Sequence, residues 1–114
     1  MEHPVVCVDF DGVLNDYKGW QGDMLYEPRE GVREFLEELS NNYSVVILTT
    51  RNNEKVWEWL RKYGLDFLVD DVTDIKIPAI AYIDDRGLKF NGNFSKTLER
   101  LHNFQTHWEK NLGL

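Results

Sequence analysis

The feature that most constrains the fold is a set of three short apolar runs rich in Val and Ile. They span Val5 to Phe10, Ser44 to Thr49 and Ala79 to Ile83, and none alternates cleanly between apolar and polar residues. This pattern is typical of parallel strands that are covered on both faces. A shorter fourth strand is predicted at Phe67 to Val69. The chain is therefore expected to build a central, mainly parallel sheet.

Helical spacing of apolar residues occurs between and after these runs. One predicted helix contains Val32 to Leu39, a second runs from an Asn53 cap to about Tyr63, and a third runs from about Ser95 to Asn111. The residues expected on their inner faces are Val32, Phe35, Leu36 and Leu39, then Val56, Trp57 and Leu60, and finally Leu98, Leu101, Phe104 and Trp108. Strands and helices in this order predict a three-layer α/β/α sandwich with right-handed crossovers.

Length and composition fit one domain. The 114 residues contain no repeat and no linker, so residues 1–114 are expected to fold as a single unit. Cys7 is the sole cysteine, which excludes an intrachain disulfide and predicts a buried structural thiol. Because the sequence shows neither a membrane-length apolar stretch nor a signal pattern, a cytoplasmic location without a membrane partner is expected.

The formal net charge of −7 bears on the class of partner. Proteins that bind a nucleic-acid backbone neutralise its phosphates with Lys and Arg, so this acidic chain argues against a nucleic-acid partner. A phosphate monoester held by a metal ion and a few donors stays compatible with it. The acidity itself fits either an ordinary solvated surface or a specific acidic patch.

Acidic residues follow the first and third apolar runs. Asp9 and Asp11 close the first run, with Gly12 permitting a sharp turn, and Asp84 and Asp85 follow the third. In open α/β sheets the ligand lies beyond the carboxyl ends of the strands, so these side chains are expected at one edge. Carboxylates in such number repel one another unless a cation is present, and hard oxygen ligands suit Mg²⁺. Each pair alone fits an ordinary solvated turn, so the prediction depends on their combination.

Thr49 and Lys76 extend this acidic set. Thr49 ends the second run with a hydroxyl that can donate to a phosphoryl oxygen, and Lys76 precedes the third run with a charge that offsets carboxylate and phosphate. Alone, each also fits a structural or solvated role. Zinc is disfavoured, because one cysteine and three scattered histidines offer no ligand spacing. The order Asp-x-Asp, Thr, Lys, Asp-Asp is what points to phosphate chemistry.

In this order the sequence resembles the haloacid dehalogenase-like hydrolase superfamily. Asp9 to Leu14 resembles its first motif, Val45 to Thr49 its second, Lys76 its third and Tyr82 to Arg86 its fourth, so the resemblance covers most of the chain. It implies a Rossmann-like core. It also implies a phosphatase that cleaves a phosphate monoester through an aspartyl-phosphate intermediate, with Mg²⁺ as cofactor.

The resemblance also implies a role for each matched residue. Asp9 would attack phosphorus, and Asp11 would protonate the leaving oxygen and then activate water. Thr49 would bind the transferring phosphoryl group, and Lys76 would steady Asp9 and the phosphate. Phosphoryl transfer needs alignment and charge neutralisation above all, which agrees with this set of residues.

The same resemblance implies a magnesium site at the strand ends. Its ligands would be Asp9, the main-chain carbonyl of Asp11 and Asp84. Asp85 would lie adjacent to the ion or reach it through a water molecule.

Some assignments stay open in the sequence. Thr50 directly follows Thr49 and is an alternative phosphoryl-binding hydroxyl, and Lys89 competes with Lys76, which fits better because it precedes the strand. Arg51 follows the second motif, where it fits a contact to substrate or, slightly better, a structural ion pair.

The segment from Asn15 to Glu30 is the only insertion between the first motif and the first helix. It is long enough for a flap or minimal lid and too short for a cap domain. Its Tyr17, Trp20 and Tyr26 fit a mobile aromatic lid and, equally, a flap that packs on its own core. The resemblance to small capless members implies an open site, which goes with large substrates or with a neighbouring subunit acting as the lid.

Two other classes of protein compete with a phosphatase. A non-enzymatic phospho-receiver shares the acidic cluster, Mg²⁺, Thr and Lys, but it carries the acidic pair on its first strand and a lone acceptor Asp on a later one. Here that order is reversed, and Asp11 supplies an acid/base beside Asp9. A degenerate relative acting as an interaction module is the other alternative.

Sugar phosphates, nucleotides, phospholipid head groups and phosphoproteins all fit as substrates, and the oligomeric state stays open.

Overall fold

A computed structural model describes residues 3–17, 19, 25–84 and 92–111, with side chains described as far as residue 102. The strands are β1 (Val5–Asp9), β2 (Ser44–Leu48), β3 (Asp71–Thr73) and β4 (Ala81–Ile83). The helices are α1 (Val32–Asn42), α2 (Asn53–Lys62) and α3 (Phe94–Asn111). A tight turn at Phe10–Leu14 follows β1, and a short 3₁₀ helix at Asp66–Leu68 precedes β3.

All four strands pair in parallel, in the spatial order β3-β2-β1-β4. Strand β1, which carries Asp9, is therefore central, and β2 and β4 flank it. Their carboxyl ends meet at one edge of the sheet, which is where ligands bind in this class of fold. The prediction of an α/β sandwich about a mainly parallel sheet is confirmed, and the described residues include no cap domain.

One face of the sheet packs against the helices. The strand residues on this face are Val6, Val45 and Ala81 in one row and Val8, Ile47, Ile83 and Val72 in the next. They form one cluster with buried side chains of all three helices, such as Phe35, Leu60 and Leu101. Burying these large apolar side chains is the main source of stability for the domain.

The opposite face carries Cys7, Val46 and Tyr82, which are register neighbours on β1, β2 and β4. Because side chains alternate along a strand, Asp9 at the end of β1 lies on this face too. Among the described residues, the irregular segment 74–80 lies over it, and Tyr82 donates a hydrogen bond from its hydroxyl to the Ile77 carbonyl. Cys7 and Val46 are both buried there.

The strand predicted at Phe67 to Val69 is wrong. Asp66–Leu68 forms a 3₁₀ helix, and the Phe67 side chain is 70% exposed, whereas Leu68 and Val69 are buried in the core. The strand in this part of the chain is β3, which begins later, at Asp71. An apolar run of three residues fits a single helical turn as well as a short strand, so the run alone does not distinguish them.

Smaller differences concern the helix faces. On α2, Trp59 is buried in the hydrophobic core. Trp57, which was expected on the inner face of this helix, is only partly buried and packs against the core. Leu101 is buried as expected, while the side chains of Phe104 and Trp108 lie outside the described residues. No helix in the described part of the chain combines the length and the apolar character needed to cross a membrane.

Candidate active site at the carboxyl edge of the sheet

Asp9 is held at the end of β1 by the turn that follows it. Its carboxylate accepts a hydrogen bond from the Phe10 amide at 3.0 Å. Phe10 is fully buried, with its ring packed edge to face against Trp59 at 4.9 Å between centroids. Gly12 adopts a φ of 83°, a conformation that other residues take only under strain. The buried Phe10 and the permissive Gly12 together direct the chain so that Asp9 and Asp11 both leave the strand end.

Thr49 is positioned by the end of β2. It is buried, and its amide donates to the Thr73 carbonyl of β3 at 2.9 Å. Its hydroxyl oxygen accepts from the Arg51 amide at 3.1 Å, which leaves the hydroxyl hydrogen to be donated. Thr50 is exposed next to it, and both threonines border the same cavity.

Lys76 reaches the site from the segment before β4. Its ammonium lies 4.6 Å from the centroid of the Tyr82 ring, a cation–π contact. Since Tyr82 also binds the Ile77 carbonyl, this ring fixes the segment against the face that carries Cys7 and Asp9.

A cavity of about 410 Å³ gathers the predicted residues. Asp9, Asp11, Thr49, Lys76 and Asp84 all line it. The remaining lining residues are Cys7, Leu48, Thr50, Asp74 and Tyr82. Residues far apart in sequence therefore meet at the carboxyl edge, with Asp9 and Asp84 facing one space. Asp85, Arg86 and Lys89 lie outside the described residues.

The Asp11 carboxylate is engaged by two side chains. Arg51 donates to it through Nε at 2.9 Å and through Nη2 at 3.2 Å, and Asn15 donates to it at 3.1 Å. The Arg51 side chain is only 7% exposed and that of Asp11 25%, so the ion pair is largely shielded from water. Arg51 thus makes the ion pair that the sequence favoured slightly, and a planar fork on a carboxylate is a strong form of this contact.

Hydrogen bonds hold the described part of the segment from Asn15 to Glu30 against the turn after β1 and against α2. Asn15 forms an antiparallel bridge with Pro28, and Arg29 donates to the Gly12 carbonyl at 3.1 and 3.0 Å. The indole of Trp59 donates to the Tyr26 carbonyl at 2.7 Å. Trp20, the third aromatic residue of the predicted flap, lies outside the described residues.

A second cavity, of about 370 Å³, adjoins the first. It shares Asp11 and Thr50 with the first cavity, and its other lining residues are Tyr17, Leu25, Arg51, Asn52 and Lys55. Tyr17 packs edge to face on Tyr26 at 5.7 Å between centroids, and the Arg51 guanidinium lies 6.0 Å from the Tyr17 centroid. This cavity therefore lies between the flap and the start of α2.

Cys7 lies on the floor of the first cavity. Burial raises the pKa of the thiol, the negative charge of Asp84 raises it further, and the positive charge of Lys76 opposes both. The thiol stays neutral near pH 7 and fits the structural role expected of it.

The donor set of the first cavity fits Mg²⁺ in part. No three His, Cys, Asp or Glu side chains within the described ranges are grouped closely enough to hold one ion. Asp9, Asp11 and Asp84 nevertheless line the same cavity. Two carboxylates, one carbonyl and several waters are a typical magnesium environment, since this ion keeps much of its hydration shell.

Two features of the site were missed in the sequence. Asp74 lines the first cavity, although it belongs to no predicted motif. Its position one residue after β3, a strand that was itself predicted in the wrong place, is the signal that would have found it. Arg51 pairs with Asp11, which lies 40 positions away in the sequence. The sequence therefore predicted an ion pair for Arg51 without identifying its partner.

Comparisons of the chain with protein-family models, curated proteins and solved structures found no match.

Proposed function

We propose that this protein is a magnesium-dependent phosphohydrolase that cleaves a phosphate monoester through an aspartyl-phosphate on Asp9. The proposal keeps the type of chemistry that the resemblance to haloacid dehalogenase-like hydrolases implies. The observation that carries it is the convergence of Asp9, Asp11, Thr49, Lys76 and Asp84 on one cavity. A nucleophile, an acid/base, a hydroxyl donor and a cation are the parts that a two-step phosphoryl transfer needs.

In the first step Asp9 acts as the nucleophile. One carboxylate oxygen forms a bond to phosphorus while the bond from phosphorus to the leaving oxygen breaks. Thr49 donates its hydroxyl hydrogen to a phosphoryl oxygen, and Lys76 offsets the negative charge of the carboxylate and the phosphoryl group. The leaving oxygen takes its proton from Asp11.

In the second step Asp11 acts as the base. It removes a proton from a water molecule as the water oxygen attacks phosphorus, and the bond from phosphorus to Asp9 breaks. Inorganic phosphate leaves and the Asp9 carboxylate is restored. The ion pair with Arg51 fixes the position of this carboxyl group beside the reacting atoms.

Mg²⁺, when bound by Asp9, Asp84 and the Asp11 carbonyl, would neutralise charge on the phosphoryl oxygens. Asp85 stays a proposed neighbour of that ion. A phosphorylated substrate that extends beyond the cavity, as the resemblance to capless members implies, is part of the proposal. We also propose a cytoplasmic location, since Cys7 is a free buried thiol and a reducing compartment suits it.

The test is phosphate release from phenyl phosphate with Mg²⁺, comparing the wild type with Asp9→Asn. We expect Asp9→Asn to lose nearly all of the activity, because an amide is a poor nucleophile. Asp71→Asn is the matched control: it makes the same chemical change at an exposed residue at the amino end of β3, and it should keep full activity. Equal activity of wild type and Asp9→Asn would exclude catalysis through Asp9.

A further inference from the structure

Asn15 is a fully buried polar residue, and its side chain joins two parts of the turn after β1. Its Oδ1 accepts a hydrogen bond from the Gly12 amide at 3.0 Å, and its Nδ2 donates to Oδ1 of Asp11 at 3.1 Å. Its own main-chain amide donates to the Phe10 carbonyl at 3.4 Å, and the residue forms the antiparallel bridge to Pro28. Because the oxygen and the nitrogen of the side-chain amide both have partners, the buried group is held in one orientation.

The contacts of Asp11 distinguish its two carboxylate oxygens. Oδ1 accepts from Asn15 at 3.1 Å and from Nη2 of Arg51 at 3.2 Å, so both of its lone pairs are used. Among the described residues, Oδ2 accepts from Nε of Arg51 alone, at 2.9 Å. Oδ2 therefore keeps a lone pair for a further partner. Since Arg51 contacts both oxygens, the contact with Asn15 is what makes the two oxygens differ.

We propose that Asn15 is a positioning residue for Asp11, which occupies Oδ1 and leaves Oδ2 as the oxygen that meets the leaving oxygen of the substrate. This inference rests on the proposed function, in which Asp11 protonates that leaving oxygen and then activates water. Asn15 lines neither cavity, so it acts through Asp11 and touches no reacting atom. By spanning Gly12 and Asp11, its side chain also ties the orientation of the carboxyl group to the turn that follows Asp9.

The experiment compares phenyl phosphate with 4-nitrophenyl phosphate, because their leaving oxygens differ in the need for a proton. Phenolate leaves slowly unless it is protonated, whereas 4-nitrophenolate leaves readily as an anion. Asn15→Leu removes both side-chain contacts at similar size, and we expect its kcat/KM to fall about tenfold more for phenyl phosphate than for 4-nitrophenyl phosphate. A smaller folded fraction or a displaced Asp9 lowers both values by the same factor, so the ratio between the esters isolates proton donation.

A double-mutant cycle with Asp11→Asn tests whether Asn15 acts through Asp11. Asp11→Asn alone should change the ratio in the same direction, and adding Asn15→Leu to it should change the ratio by less than about twofold. Asn15→Ser is a second variant for the case in which Asn15→Leu does not fold. Its side chain is too short to span the Gly12 amide and Asp11, so it should shift the ratio in the same direction.

Asn53→Leu is the matched control. Asn53 also donates its side-chain amide to a protein oxygen, the Val72 carbonyl at 3.1 Å, and it lines neither cavity. It should keep the wild-type ratio. Two results overturn the inference and leave the proposed function standing: a ratio in Asn15→Leu equal to that of wild type, or the full effect of Asn15→Leu persisting beside Asp11→Asn. If the wild type hydrolyses neither ester, the proposed function fails and the inference falls with it.

Discussion

At the scale of single residues, the contact that sets this site apart is the fork of Arg51 on Asp11. Asp11 is the acid/base of the proposed mechanism, and its carboxylate accepts from Arg51 and Asn15 inside a mostly shielded pocket. The pair fixes the position and orientation of the carboxyl group that both proposed proton transfers use.

Breaking this pair should cost more stability than breaking an exposed one. For Arg51→Gln we expect the free energy of unfolding to fall by about 2 kcal/mol, because Asp11 keeps a partly buried charge without its strongest donor. Urea unfolding measures the change. In Glu37→Gln, which removes the exposed pair of Arg33 and Glu37 at 3.9 Å, the loss should stay below about 0.5 kcal/mol. Equal losses in the two variants would contradict the shielding assigned to Asp11.

The Cys7 thiol offers a second test at this scale. Since burial and Asp84 raise its pKa, the folded protein holds the thiol proton at a pH where the unfolded chain has begun to release it. Stability from this group is therefore complete below the ordinary thiol pKa and declines as the pH rises above it. In Mg²⁺-free buffer at pH 8, we expect iodoacetamide to leave Cys7 unmodified in the native protein and to alkylate it in urea, as read by intact mass. Rapid alkylation of the native protein would contradict the buried position.

At the scale of elements, the connection from β2 to the start of α2 supplies lining residues to both cavities. Asn52 caps the helix, with its side-chain oxygen accepting from the Lys55 amide at 3.1 Å, and the residues around this cap line the second cavity. Thr49, Thr50 and Arg51 lie between β2 and this cap, so the helix start fixes their backbone.

Removing the cap should destabilise α2 by a predictable amount. Asn52→Ala is expected to lower the free energy of unfolding by about 1 kcal/mol, because the Lys55 amide loses its acceptor. Asn52→Asp keeps an acceptor at a helix N-terminus and should stay within a few tenths of wild type in the same urea titration. If Asn52→Asp lost as much as Asn52→Ala, the cap would not be the source of the effect.

The elements also show what sequence patterns can predict. The strands at Val5, Ser44 and Ala81 and all three helices were predictable, since each is a sustained apolar pattern between clear breaks. Asp71–Thr73 was not, because only Val72 of its three residues is buried and a neighbouring apolar run mimicked a strand. Trp57 and Trp59 lie two residues apart on one helix, and their partners in the tertiary structure decide which one is buried.

At the scale of the whole molecule, parallel pairing is what turns separate motifs into one site. Asp9 is the last residue of β1, and Thr49 and Asp84 directly follow the neighbouring parallel strands β2 and β4, so the fold brings them to one edge once the strand order is set. This convergence could be predicted from the sequence. The second cavity could not, since it depends on how the flap and α2 pack together.

Magnesium should stabilise the entire domain if the strand ends hold it. At a free concentration ten times its Kd, we expect Mg²⁺ to add about 1.4 kcal/mol to the free energy of unfolding of the wild type. Asp84→Asn should lose this increment, because it removes one of the two carboxylates proposed to ligate the ion. Asp71→Asn should retain it. A wild type whose unfolding does not respond to Mg²⁺ would contradict the metal site without any reference to turnover.

The most direct measurement is chemical trapping of the acyl phosphate during turnover. Borohydride reduces an aspartyl-phosphate to homoserine, and peptide mass spectrometry locates the converted residue. We predict conversion at Asp9, only when phosphate ester and Mg²⁺ are both present, with Asp11 and Asp84 unchanged. Steady release of phosphate with Asp9 intact, or conversion at another carboxylate, would contradict a mechanism in which Asp9 is the nucleophile.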